Sequence, residues 1–349
     1  MAECIATVPI GRLDWAMRFA SSASTVPVDS ASHAAVGSSP ARDASVRAPV
    51  ARSRAAQGWA LGVAGVFVFA LSIPMTRLAT GSQIAPQLPP YFVAFGRAAL
   101  AGLLAGAWLL AIRAARPRPR QWPPLVLSAA GVVFGFPLFM GLAVRRVDAV
   151  HASVVSGLLP IATALMGAWL LRQRPGRGFW ACAGTGTALV LGFAAWKGAG
   201  APQAGDALLL AAVACAGFGY VQGTRLSVAA VGAAPAMPPE QVISWVLVVS
   251  LPLTLPLAVL TWPEQPVRPA AWGALAYLSV FSMWLGFFAW YRGLAWGGMM
   301  RVSQVQLLQP FLSMAVSAPL LGEVPDAATL LFALAVLGMV LLSRTMPAR

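Results

Sequence analysis

Residues 158–175 read LLPIATALMGAWLLRQRP, and residues 307–325 read LLQPFLSMAVSAPLLGEVP. Each is a long apolar run that opens on a Leu-Leu pair and carries a proline near its start, Pro160 or Pro310. Thirteen residues after that proline stands Gln173 or Glu323, and then a second proline, Pro175 or Pro325. The two prolines Pro160 and Pro310 lie 150 residues apart. Proline has no N–H to donate and its ring clashes with the preceding turn, so two helices should break at equivalent places.

Further markers repeat at almost the same distance. Thr76-Arg77-Leu78 recurs as Thr224-Arg225-Leu226, an offset of 148, and Gly141-Leu142-Ala143 recurs as Gly293-Leu294-Ala295, an offset of 152. Any one tripeptide could be chance in a chain rich in Ala, Leu and Gly. Their common order and nearly constant offset read as an internal duplication.

The composition names the solvent. Apolar residues make up 59% of the chain and charged residues 10%, with a mean hydropathy of +0.75. Soluble proteins carry about 25% charged residues, so a chain this apolar cannot cover its surface in water. A helix crosses a bilayer with roughly 20 apolar residues. Ten such runs are read at 58–80, 90–113, 122–144, 150–172, 178–196, 205–226, 238–262, 269–294, 299–321 and 325–343. The expected fold is an all-α polytopic membrane protein of ten transmembrane helices, with one five-helix repeat at 58–196 and another at 205–344. Five is odd, so the second repeat enters the membrane from the opposite side. The repeats are then inverted, an arrangement recurrent in secondary transporters.

Residues 1–57 are rich in Ala, Ser, Val and Arg without hydrophobic period and are expected to be disordered. They hold no apolar region long enough for a signal peptide, and a true start at Met17 or later would fit their composition. The net charge of +14 does not point to nucleic acid, because the basic residues fall between the apolar runs. With the N-terminus placed in the cytoplasm, eighteen of the 24 basic residues lie on the inner side and five on the outer. That asymmetry puts both termini in the cytoplasm. The Ala and Arg bias points to a GC-rich bacterium, hence to its cytoplasmic (inner) membrane. Cys4, Cys182 and Cys215 have no metal-site or redox spacing.

The sequence resembles the EamA-type transporters of the drug/metabolite transporter superfamily. The likeness rests on the duplicated proline-centred spans, on LLGE at Leu320–Glu323, WYRGL at Trp290–Leu294 and GDALLL at Gly205–Leu210, and on Arg97 in span 2. It covers residues 58–344. The chain departs from the family's Gly-Glu at the end of span 4, where it has Arg172-Gln173, and keeps it at Gly322-Glu323. The resemblance implies transport of small metabolites, often efflux of amino acids or related compounds. It also implies a cavity lined mainly by spans 1, 3, 4, 6, 8 and 9.

The residues themselves offer candidates for a substrate path. At helical steps of three and four, span 4 places Ser153, Ser156, Pro160, Thr163 and Gly167 on one face, and span 9 places Ser303, Gln306, Pro310, Ser313 and Ser317 likewise. Small and hydroxyl residues let membrane helices approach closely. Equally, such a stripe can face a polar path, with each proline freeing a carbonyl. In spans 1 and 6 the 148 offset pairs Ser72 with Tyr220 and the kink candidate Pro74 with Gln222. Aromatics crowd spans 3 and 8, and Phe134 and Trp284 are the ones read as deep enough to meet a cavity.

Arg97 lies seven residues into span 2, about 10 Å of helix rise. An intramembrane Arg is a functional candidate by default, and the competing reading is a side chain that snorkels to the interface. None of the ten acidic residues falls at mid-membrane in these spans. No metal or cofactor site is therefore expected, and His151 is the one remaining proton-binding group near the path. Facilitated diffusion, exchange and proton antiport stay open, as does assembly as a monomer or homodimer. A membrane enzyme would need His, Asp, Glu or Cys clustered at one face, and no such cluster is present. A channel or a lipid translocator of the same fold is the nearer alternative. The orientation has a direct check: alkaline phosphatase fused after Ala85 or Gln265 should be active, and fused after Pro117 or Ala233 inactive.

Overall fold

Proline sets where several of the long helices begin. Pro90, Pro239 and Pro269 each open a helix, preceded by Pro89, Pro238 and Arg268 in extended conformation. At that point the missing N–H has no intrahelical partner to lose, and the fixed φ already suits the first turn. The computed structural model describes residues 40–82, 84–147, 149–170, 176–196, 204–227 and 236–321, together with five positions between 327 and 338. The chain divides into two units, 1–47 and 48–349, and of the first only residues 40–47 are described. They begin the helix Pro40–Ala70, and residues 1–39 of the expected tail lie outside the described residues. Ala and Arg dominate residues 41–56, and both are strong helix formers that extend span 1 upstream.

Among the described residues, six helices are long and apolar enough to cross a membrane: Arg54–Thr80, Pro90–Ala111, Pro119–Ala143, Gly205–Ser227, Pro239–Leu260 and Pro269–Gly297. These are spans 1, 2, 3, 6, 7 and 8 of the sequence. Span 5 is the helix Arg177–Trp196. Spans 4 and 9 each come in two helical pieces, and span 10 falls mostly outside the described residues. The described residues contain no β-strand.

Span 2 shows which solvent the fold was built for. It buries Ala98, Ala101, Gly102 and Ala105 while Leu103 and Leu110 stand 51% and 81% exposed. A helix of a water-soluble protein would turn its leucines inward. In a bilayer the lipid is as apolar as Leu, so helices gain by close approach of small residues instead. A Cβ added to Gly102 would stand 3.1 Å from the Leu247 carbonyl oxygen of span 7.

The same principle joins the two halves through a duplicated contact. Span 1 lies on span 8, and span 3 lies on span 6, as exchange of the repeats requires. A Cβ on Gly293 would come within 2.8 Å of the Gly62 nitrogen, and one on Gly131 within 2.5 Å of the Cys215 carbonyl oxygen. Each contact is tied by a hydroxyl that donates to a backbone carbonyl: Tyr277 to Val68 at 2.9 Å, and Ser128 to Gly219 at 3.0 Å.

Spans 4 and 9 cross each other antiparallel. The first piece of span 4, Ala149–Ser156, packs on the second piece of span 9, Gln309–Leu321. The second piece of span 4, Leu159–Leu170, packs on the first piece of span 9, Met299–Ser303. Pro160 and Pro310 are each the second residue of a helical piece, and Pro74 is the third residue of Ser72–Thr80. Every interruption lies just upstream of its proline: at residues 157–158, in the 3₁₀ segment Gln304–Leu308, and at Leu71. The helices thus restart at the prolines. Spans 3 and 8 carry a second kind of interruption that hydropathy does not signal, the π-helical segments Ala130–Gly135 and Leu278–Leu285.

The glycine contacts predict a contrast. Gly131→Ala should destabilise the detergent-purified protein by about 1–3 kcal/mol, the usual range for overpacking. Gly273→Ala, where a Cβ meets nothing within 4 Å, should leave the melting temperature unchanged or raise it, as differential scanning fluorimetry can check.

Candidate functional site

A cavity forms where spans 1, 2, 3, 6, 8 and 9 converge. Its polar wall is made of Ser72, Thr76, Arg97, Tyr220, Ser282 and Gln309, and its apolar wall includes Phe69, Phe136 and Phe287. The interruptions explain why polar atoms gather here. Ser72 starts the helical piece after the break at Leu71, and its Oγ lies 2.7 Å from the Oγ of Ser282 inside the π-helical segment of span 8. Thr76 Oγ1 returns its hydrogen to the Ser72 carbonyl at 2.6 Å, the usual resort of a membrane hydroxyl. Gln309 begins the piece that carries Pro310. Pro74 cannot donate to the carbonyl four residues back, and neither can Pro310.

Arg97 enters the wall from span 2 and is 4% exposed, so it does not snorkel. Its Nη2 reaches Met283 Sδ at 3.3 Å, and its Nε is buried without a hydrogen-bond partner. It lies close enough to Tyr220 for the two to interact electrostatically. Of the acidic residues among those described, Glu240 is paired with Arg292 at 2.9 Å and Glu264 is exposed. None lines the cavity. No group of His, Cys, Asp or Glu among the described residues could hold a metal ion.

The predicted path residues divide. Ser72 and Tyr220, matched through the 148 offset, both stand in the wall, and so do Val132 and Ser282, which are 150 apart. Phe134 and Trp284 do not. Phe134 turns towards Phe95, with ring centroids 6.3 Å apart, and Trp284 donates from Nε1 to Ser244 Oγ at 3.0 Å. Phe136 and Phe287 take the wall positions instead. A π-helical turn holds more residues than an α-turn, so the segments at 130–135 and 278–285 shift the face that an unbroken helix would present.

The two stripes turn towards each other and not into the cavity. Ser153 Oγ donates to Ser313 Oγ at 3.2 Å, and Ser156 and Ser317 return their hydroxyls to their own helices. Ser303 is buried, and Thr163 Oγ1 is buried without a partner. Gln222 accepts from Arg225 at 3.2 Å. His151 falls in the helix Ala149–Ser156, and its side chain lies outside the described residues. The resemblance had put span 4 in the wall. Its place is taken by span 2, through Arg97.

Gln309 is the residue the sequence reading missed, although it stands inside the stretch that revealed the repeat. At the 150 offset Gln304, Gln306 and Gln309 match Val154, Ser156 and Leu159. All three glutamines are buried, and each leaves side-chain amide atoms without a hydrogen bond. Gln306 lies near the Tyr220 hydroxyl, yet neither of its polar atoms forms a bond of good geometry. A polar residue in one repeat facing an apolar one in the other was the available signal.

The cavity measures about 20 Å³, enough for roughly one water molecule. Sites for small organic molecules span about 300–1,000 Å³, so an organic solute would fit here only if the helices moved apart. Membrane-length helices around a polar centre define a multi-pass membrane protein. The family model described as the EamA-like transporter family matches twice, over residues 56–194 and 203–345. The chain belongs to this family. It is 42% identical over 273 residues to the uncharacterized transporter YdeK of Bacillus subtilis (strain 168), covering 78% of this chain and 91% of that protein. It is also 25% identical over 270 residues to the uncharacterized transporter sll0355 of Synechocystis sp., covering 71% and 79%. A solved crystal structure shares the fold with a TM-score of 0.64 at 18% identity, over 82% of this chain and 96% of its own.

Gln309→Leu restores the residue of the first repeat at this position. The substitution should raise stability by about 1 kcal/mol or more, because it removes an unpaired buried acceptor. Transport should fall, and unfolding in detergent run beside uptake in liposomes measures both.

Proposed function

We propose that the protein is a secondary transporter that exports small metabolites, amino acids or related compounds, by alternating access around the central cavity. The observation that carries this reading is the position of the cavity. Residues from both repeats wall it, and interrupted helices flank it. In the proposed architecture ten helices form two inverted five-helix repeats, 58–196 and 205–344. The antiparallel crossing of spans 4 and 9 and the duplicated contacts of span 1 with 8 and span 6 with 3 support the inversion. Inverted halves can exchange conformations and so open one site to either side.

Pro74, Pro160 and Pro310 are proposed as the hinges, since each follows a place where the helical ladder already fails. Ser72, Tyr220 and Arg97 are proposed to meet the substrate. Ser153, Ser156, Thr163, Ser303, Gln306 and Ser313 would form the surface on which spans 4 and 9 move, with Gln222, Phe134 and Trp284 behind the wall. The protein is placed in the bacterial cytoplasmic membrane with both termini inside, as a monomer or homodimer. The inner excess of basic residues supports the orientation.

Reconstitution tests the mechanism. Overexpression followed by a metabolite screen for resistance and excreted compounds supplies the substrate. The purified protein in liposomes should then give saturable counterflow of that compound. Unsaturated conductance would identify a channel instead, and transfer of labelled lipid between leaflets would identify a lipid translocator.

A further inference from the structure

A guanidinium in the interior of a membrane protein demands a counter-charge. Removing one charge from water without a partner costs several kcal/mol even after relaxation, and intramembrane Arg residues normally pair with carboxylates or carbonyls. Arg97 has neither. It is 4% exposed, its Nε has no partner, and its one hydrogen bond is to the weak acceptor Met283 Sδ. The wall around it contains hydroxyls, an amide and aromatic rings but no acidic residue. Glu240 is already paired, with Arg292 of span 8 at 2.9 Å.

We propose that the missing partner is the substrate: the cavity takes a small organic monocarboxylate, and Arg97 holds its carboxylate. This rests on the transporter reading and, within it, favours related acids without an ammonium group over the amino acids themselves. Guanidinium matches carboxylate in a planar two-point contact. The described wall offers a single cation, which balances one negative charge and not the two of a phosphate monoester. Phe69, Phe136 and Phe287 would take an apolar body, and the unpaired Gln309 Oε1 and the Ser72–Ser282 hydroxyls would take one neutral donor. Since no group in the wall is negative, a net monoanion fits better than a zwitterion of the same size.

Thermal stabilisation of the purified full-length protein tests this with four probes of known structure at millimolar concentration: 3-phenylpropanoate, its amide 3-phenylpropanamide, L-phenylalanine and inorganic phosphate. The carboxylate should raise the melting temperature, and the amide should not. L-phenylalanine should bind more weakly than 3-phenylpropanoate, and phosphate should have no effect. In Arg97→Gln the affinity for 3-phenylpropanoate should fall about thirtyfold or more, the scale of losing one side of a buried charge pair. Arg97→Lys should restore part of it.

The proposal is overturned if the amide or phosphate matches the carboxylate, or if no carboxylate stabilises the wild-type protein. It is also overturned if L-phenylalanine binds the tightest, or if Arg97→Gln keeps full affinity. The wild-type comparison of acid with amide decides the substrate class even if Arg97→Gln does not fold. Saturable counterflow of an uncharged or cationic solute alone would sink the carboxylate site and leave the carrier. Carboxylate binding without counterflow would do the reverse.

Discussion

Close contact between helix backbones is the constraint on which this structure depends. In a bilayer, apolar side chains gain nothing by leaving lipid for one another, so helices hold together through van der Waals packing and the hydrogen bonds that packing permits. Gly62 and Gly293 bring spans 1 and 8 together, and Gly131 and Gly219 do the same for spans 3 and 6. Only at such distances can a hydroxyl on one helix reach a carbonyl on the next, as Ser128 and Tyr277 do. Some large side chains, Leu103 and Leu110 among them, stand exposed as a consequence, while Phe69, Phe136, Phe287 and Tyr220 line the centre together with smaller polar residues.

That centre is also where the helices fail to be regular. The breaks before Pro160 and Pro310 and the π-helical turns in spans 3 and 8 fall at related positions in the two repeats, whereas the break before Pro74 has no counterpart in the continuous helix Ala204–Ser227 of span 6. In lipid an unpaired carbonyl or amide is tolerated only where protein or enclosed water meets it. The interruptions and the polar cavity therefore require each other. They also separate rigid pieces from the joints between them, as two exchanging conformations need. Spans 4 and 9 meet through hydroxyls, joined by Ser153 and Ser313, a surface with little to interlock.

The site was legible in part. Matching the repeats led to Ser72 and Tyr220, because a duplicated fold places equivalent residues around one centre. The same comparison contained Gln309 against Leu159, a polar residue facing an apolar one, which marks where the halves cease to be equivalent. Phe134 and Trp284 stand outside the cavity wall for a definite reason. Counting along an ideal helix assumes 3.6 residues per turn, and the π-helical segments, which carry the wall residues Val132 and Ser282, break that count. Arg97 could be located in span 2 but not oriented, since a long side chain seven residues into the membrane can reach the interface or the interior.

By itself the sequence determined the solvent, the duplication and, among the described residues, the six membrane-length helices of spans 1, 2, 3, 6, 7 and 8, because these follow from hydropathy and from repeated motifs along the chain. It also marked where the helices of spans 1, 4 and 9 break, since proline lacks the N–H that continues the ladder, although Pro252, Pro256 and Pro319 stand inside unbroken helices. Only the tertiary structure decided which side chains meet at the centre. The phase of spans 3 and 8 depends on turns whose hydrogen bonds leave no compositional trace. The fate of the Arg97 charge depends on what the other helices place around it, and among the described residues no carboxylate lines that wall.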